Sequence, residues 1–172
     1  MNPMAIMLRR KLEKAVIAFV KGTGDASLKA QIIVEGHANV EPEVPYHVVY
    51  ATDSRPHEDL PAEVGVSSVT VVWHQKSDAN DEDRAAADAR LEDVFYTLLA
   101  PVDLTAAIGD ENRLGGALLL ALNKPLTGPD NRAVKGLHVY DFFPADDRDS
   151  MDGDKWHDQL VFTAVAQPFD QA

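Results

Sequence analysis

Six histidines, His37, His47, His57, His74, His138 and His157, are the residues of this chain best suited to metal binding or acid–base work. None stands in the His-x-x-x-His or His-Glu-x-x-His spacing that sets two imidazoles on one helix face. His47, His74 and His138 fall in segments that read as strands, so a sheet that brought them to one face would offer a zinc site; strand histidines more often pack than ligate. The acidic run Asp146–Asp154 invites comparison with a calcium loop. Placing Gly153 at the obligatory turn puts Arg148 and Ser150 at the first two ligand positions and Gln159 at the last. A guanidinium cannot ligate a cation, so that motif fails. Ser67 and Ser68 enter a strand instead of leaving one toward a helix, and no Gly-x-Ser-x-Gly elbow exists. Lys21-Gly22-Thr23-Gly24 lacks the Gly-Lys-Ser/Thr ending of a phosphate loop and reads as a helix stop. Trp73 and Trp156 read as packing residues. No catalytic residue, metal ligand or cofactor site emerges, and the chain is read as a non-enzyme.

Composition narrows the classes further. The chain has 172 residues, 45% hydrophobic and 26% charged, which fits one folded domain and excludes wholesale disorder. It has no cysteine, which removes disulfides, cysteine zinc sites and thiol nucleophiles. Lys and Arg total 16 against 28 Asp and Glu, a net charge of −12 that would repel nucleic-acid phosphates and anionic lipid. The charge is unevenly spread. Residues 1–30 hold Arg9, Arg10, Lys11, Lys14, Lys21 and Lys29 against Glu13 and Asp25, for +4, and the remainder carries −16. Arg9-Arg10 ahead of the apolar run Ala15–Val20 has the outline of a twin-arginine leader. The run is too short and no small-residue cleavage site follows, so the segment reads as mature structure. No stretch approaches about 18 uninterrupted apolar residues, so no membrane span is expected.

The elements follow from periodicity. Met4, Leu8, Leu12, Ala15, Val16 and Phe19 recur at three- and four-residue steps and predict an amphipathic helix over residues 4–21, stopped by Gly22 and Gly24. Ile32–Val34 predicts a short strand closed by Gly36. Tyr46–Ala51 alternates, with Tyr46, Val48 and Tyr50 opposite His47, Val49 and Ala51. Val66–His74 does the same, with Val69, Val71 and Trp73 on one face. Asn80 caps a helix from Asp81 to Leu99, whose stripe is Leu91, Val94, Phe95 and Leu98. Asp103–Ile108 reads as a short helical segment and Leu114–Leu122 as a helix weakened by Gly115 and Gly116. Lys124–Arg132 reads as a loop, Leu137–Phe143 as a strand, Pro144–Lys155 as a long acidic loop and Leu160–Ala166 as the last strand. This order predicts an α+β fold: a mostly antiparallel mixed sheet of about five strands packed on two long helices plus short ones, in a single domain over 1–172. The loops at 52–63 and 144–155, polar and short of apolar anchors, are expected to be mobile in a free subunit.

The layout resembles the tail-terminator proteins of long-tailed bacteriophages. The features that carry the likeness are the basic opening helix (Met7-Leu8-Arg9-Arg10-Lys11-Leu12), Ile32–Gly36, Pro45-Tyr46-His47-Val48-Val49-Tyr50, the Val66–Trp73 strand, the capped helix ending Phe95-Tyr96-Thr97-Leu98-Leu99, and the closing strands Leu137–Phe143 and Leu160–Phe169. The segment Leu114–Leu122 and the 144–155 stretch depart from the pattern. The resemblance implies a homohexameric ring without cofactor, located in the virion at the tail–neck junction after assembly in the host cytoplasm. Its implied partners are copies of itself, the tail tube protein, a neck or head-completion protein, and genomic DNA passing through the lumen without specific binding. Another neck or head–tail joining protein, or a small cytosolic enzyme or ligand-binding domain, are the alternatives. Arg9, Arg10 and Lys14 lie off the first helix's apolar stripe and are the candidate subunit-interface residues, facing an acidic neighbour.

Overall fold

Leu8, Leu12, Val16, Phe19 and Val20 lie buried along one side of helix α1 (Pro3–Thr23) in the computed structural model, which describes residues 3–36, 41–56, 66–123 and 137–167. A single turn, α2 (Ala26–Lys29), follows; the Asp25 carboxylate caps it by accepting the Leu28 N–H at 2.7 Å. Three strands come next: β1 (Ile33–Glu35), β2 (Tyr46–Pro56) and β3 (Ser67–Asp78). Asn80 then caps α3 (Asp81–Leu99), its side-chain oxygen accepting the Asp83 N–H at 2.9 Å. A short helix α4 (Gly116–Leu122) precedes the closing strands β4 (His138–Asp152) and β5 (Lys155–Gln167).

The five strands form one sheet in the order β1-β2-β3-β5-β4. Only the β1–β2 pair is parallel; the other three pairings are antiparallel. The fold is thus α+β, with a mixed, largely antiparallel sheet on two long and two short helices. Strand alternation decides which side chains meet the helices. Val49 and Ala51 of β2, Val69, Val71 and Trp73 of β3, Leu160, Phe162 and Ala164 of β5, and Val139 and Phe142 of β4 are buried on the inner face with the helix stripes. Phe142 and Phe162 stack at 4.9 Å between ring centroids, tying β4 to β5 inside the core. No described helix is long and apolar enough to cross a membrane.

The structure departs from the sequence expectations at the joins. Pro144–Lys155 is not a long loop. β4 runs on to Asp152 and turns back through Gly153 and Asp154, with Asp152 paired to Lys155. Gly153 has φ 62, the left-handed conformation a two-residue hairpin turn needs at its first central position. The run looks loop-like because neither face of the arm is covered, so no hydrophobic alternation marks it; it pairs because β5 needs a partner on the side away from β3. The premise of the mobility expected for 144–155, an unpaired loop, does not hold. Residues 52–56 likewise belong to β2, and 57–63 lie outside the described residues, as does all of 124–132. Asp103–Ile108 forms turns instead of helix, held by side chains that compete for backbone groups. The helical reading of Leu114–Leu122 holds from Gly116 onward.

Gly115 makes α4 possible. It sits at φ 77, and a Cβ there would meet the Phe142 carbonyl oxygen at 3.1 Å. We predict that Gly115→Ala destabilises the chain by about 1–2 kcal/mol through backbone strain. Gly22→Ala is the matched control: nothing lies within 4 Å of its added Cβ in α1. It should be neutral or stabilising by up to about 1 kcal/mol. Urea unfolding of both variants checks the pair, and equal midpoints would contradict the assignment.

Candidate assembly surface

His47, His74 and His138 do not converge. His47 is fully buried on the inner face, where its Nδ1 accepts the Trp73 indole N–H at 2.9 Å. An accepting Nδ1 places the proton on Nε2, so the ring is neutral. Burial pushes its pKa down to about 4, with Arg90 and His74 adding to the effect. His74 points to the opposite face, where its Nε2 lies 3.0 Å from Nδ1 of His157. Burial first, then His157 and Lys76, hold His74 below the ordinary histidine value, and Asp158 opposes them. His138 packs edge-on against Tyr140, elsewhere in the sheet. His37 and His57 lie outside the described residues. Among the described residues no group of three or more histidines and acids is placed to hold a metal ion.

Beside His47 lies a buried polar network that fastens α3 to the sheet. Gln75 donates to the Ala87 carbonyl at 3.0 Å and accepts from Arg90 Nε at 3.1 Å. Arg84 donates to the buried Asp158 at 2.9 Å, and its guanidinium lies 5.0 Å from the centre of the Trp156 ring. Most of these groups are consumed by one another and by the backbone, Arg84 Nη1 being buried without a partner among the described residues, which suits a structural role.

The outward features are different in kind. On α1, Met7, Arg10, Lys14, Ala18 and Lys21 are exposed at three- and four-residue steps and form one stripe. Arg9 is half-buried at its flank. The acid of this helix, Glu13, is turned the other way: it is 5% exposed and accepts the Ala51 N–H of β2 at 2.9 Å. The charged residues of the outer stripe are therefore all cationic, and among the described residues neither Arg10 nor Lys14 forms an ion pair.

Past α3 the chain exposes apolar residues on a fixed loop. Asp103 accepts both the N–H and the hydroxyl of Thr105, at 2.8 and 2.7 Å. Asn112 closes the loop, accepting from Asp103 N at 2.9 Å and donating to Asp103 O at 2.8 Å. This frame holds Leu104 at 81% and Ile108 at 62% exposure. Both residues were expected in a helical segment; what turns them outward is the pair of side-chain brackets, whose signal in sequence is Asp103-x-Thr105 followed by Asn112.

A third feature is a groove of about 560 Å³ between α3 and the β4–β5 hairpin. Leu91, Phe95, Leu160 and Phe162 line it, and Asp88, Glu92, Asp146 and Asp147 contribute acidic groups. Asp88 and Asp146 are already paired, to Arg84 and Arg148. Periodicity identified Leu91 and Phe95 as a stripe; only the hairpin arm, misread as loop, turns that stripe into a groove wall.

No protein-family model matches the chain, and no curated protein matches it. Among solved structures it is similar to a chain from the virion of a native gene transfer agent (GTA) particle, with 17% identity, 92% of this chain and 96% of that chain covered, and a TM-score of 0.47. At that identity and TM-score the likeness decides neither fold nor role.

The buried imidazole makes stability depend on pH. Because the folded-state pKa of His47 lies near 4, below the ordinary 6.5, the unfolded chain binds the proton first as pH falls. His47 thus contributes stability that is complete above about pH 6.5 and is lost between there and pH 4, on the order of 3 kcal/mol. His74 acts in the same direction. We predict that His47→Gln, which keeps an acceptor for Trp73 but does not titrate, shows a shallower fall in urea midpoint from pH 7 to pH 4 than the parent chain. Parallel profiles would remove His47 from the account.

Proposed function

We propose that this chain is a structural virion protein of the tail-terminator type, a non-catalytic subunit that forms a homohexameric ring over the tail tube. The ring ends tube elongation and joins the tail to the neck or head-completion protein, without cofactor. Genomic DNA passes through its lumen, and acidic lining would keep the phosphates from adhering. The whole chain acts as one domain in this reading.

The observation that carries the proposal is the cationic stripe of α1 on a chain of net charge −12. A surface of that kind has its complement on another copy, and a contact between two different patches repeats head to tail until it closes. The element order also agrees with the resembling family from the opening helix to the closing strand pair. Exposed Leu104 and Ile108 supply apolar area that charge alone does not. Exposed ion pairs contribute only about 0–1 kcal/mol each, so Arg9, Arg10 and Lys14 set register while apolar contact provides most of the affinity.

Two measurements test the reading. Native mass spectrometry should find six copies of the 18.8 kDa chain in one assembly. Arg9→Glu with Arg10→Glu should leave circular dichroism and thermal unfolding close to those of the parent while shifting the mass to monomer. An assembly unchanged in mass and salt dependence by this double reversal would take α1 out of the interface. The terminator role predicts that particles assembled without this protein carry tubes of uncontrolled length; tubes of normal length would end it.

A further inference from the structure

We infer that the groove between α3 and the β4–β5 hairpin is the seat of the neighbouring subunit's first helix. The inference rests on the ring reading and names the acceptor that it leaves open. The groove has the two properties that the exposed stripe of α1 calls for. Its floor is apolar: the half-buried Leu91 and Phe95 of α3 present it, Phe95 packing over the buried Phe162 of β5, and Tyr96 stands 63% exposed among its lining residues. Its rim is acidic, and Glu92 and Asp147, both exposed, enter no ion pair among the described residues. The stripe that would fill it begins with Met7, 54% exposed, a flexible apolar side chain suited to an irregular floor, and continues with Arg10 and Lys14.

Position in the fold argues for a neighbour and against the chain's own helix. α1 packs on β2 and β1 at one end of the strand order, whereas the groove lies over β5 and β4 at the other, with α3 between them. A donor at one end of a sheet and an acceptor at the opposite end make a heterologous contact. Each subunit then keeps a vacant donor and a vacant acceptor until the ring closes. The acceptor is acidic and the donor cationic, so two grooves repel each other, as do two stripes, and the isologous dimers that would compete with the ring are disfavoured.

The test uses two full-length variants. The first carries Arg10→Glu and Lys14→Glu; the second carries Glu92→Lys and Asp147→Lys. All four positions are exposed, so both chains should keep the parent's near-ultraviolet circular dichroism and melting temperature. At a concentration where the parent is a ring, each variant alone should run at monomer mass in size-exclusion chromatography with light scattering. Mixed in equal amounts they should form an alternating ring of the parent's mass, because each interface then joins opposite charges. The milder pair Glu92→Gln and Asp147→Asn should weaken the ring at least tenfold in concentration and steepen its loss with salt less than the parent shows.

Failure takes separable forms. A ring that survives the groove reversal but not the helix reversal places the partner of α1 elsewhere and overturns this inference while leaving the ring standing. A mixture of folded variants that stays monomeric overturns the pairing in the same way. A parent chain that is monomeric at every accessible concentration overturns the ring reading itself.

Discussion

One hydrogen bond decides where the acid of the first helix points. β1 is only three residues long and ends where Gly36 passes Tyr50 so closely that a Cβ would lie 2.2 Å from the tyrosine Cβ. β2 continues beyond it, and its odd-numbered residues turn their backbone groups toward the missing partner: His47 N–H reaches Ile32 O, and Val49 O receives Gly36 N–H. The next such group is the Ala51 N–H, buried with no strand to receive it. Glu13 supplies the acceptor. Leaving that donor unmet would cost about 1–3 kcal/mol, and a hydrogen bond to a charged partner contributes about 1.5–3 kcal/mol. The bond acts with the buried stripe of Leu8, Leu12, Val16 and Val20, which sets the rotation of α1 about its axis. With Glu13 inside, the charged residues left on the outer stripe of α1 are all cationic.

The sequence made most of this architecture legible and left the surface that would use it obscure. Three- and four-residue spacing in α1 and α3, and alternation in β2 and β3, name the correct buried faces because each of these elements is covered on one side and wet on the other. Asn80 is readable as a cap because its geometry is local. The inward turn of Glu13 is not local. It depends on where β1 stops, and the charge of a residue gives no hint that a strand edge thirty-eight positions away lacks an acceptor. The β4 side of the hairpin failed for a related reason: its outer half, from Phe143 to Asp152, is exposed throughout, so the pairing is imposed by β3 through β5. Its one local signal was the dipeptide Gly153-Asp154, a two-residue hairpin turn hidden inside an acidic run.

The histidines show how register outranks residue type. His47 and His74 lie in adjacent paired strands, but His74 is opposite Val48 and not His47, so alternation sends them to different faces. His47 goes to the core and becomes the acceptor for Trp73. His74 goes to the other face, where the β3–β5 register sets it diagonally across from His157. The nearby network of Gln75, Arg84, Arg90 and Asp158 then replaces metal or substrate with protein groups as partners. Its effect is on α3, which these bonds hold against β3 and β5 in one rotational setting. That setting presents Leu91 and Phe95 to the hairpin and creates the groove, much as Glu13 creates the stripe.

Both proposed assembly surfaces thus depend on buried polar bonds that help to set helices, one at each end of the sheet. This arrangement reconciles two demands that oppose each other in an acidic chain. A net charge of −12 makes copies of the chain repel one another on average, and within about 8 Å, the screening length of physiological salt, the sign of the local patch decides what a second copy senses. Association requires one patch that reverses the sign. A surface ion pair adds too little to overcome the repulsion unless an apolar contact forms with it. In the proposed contact, Met7 beside Arg10 and Lys14, and Phe95 and Tyr96 beside Glu92 and Asp147, provide that coincidence at both partners. A contact that needs both kinds of complementarity tolerates one register, and a single register repeated at a constant rotation is the condition for a ring to close instead of growing into a filament.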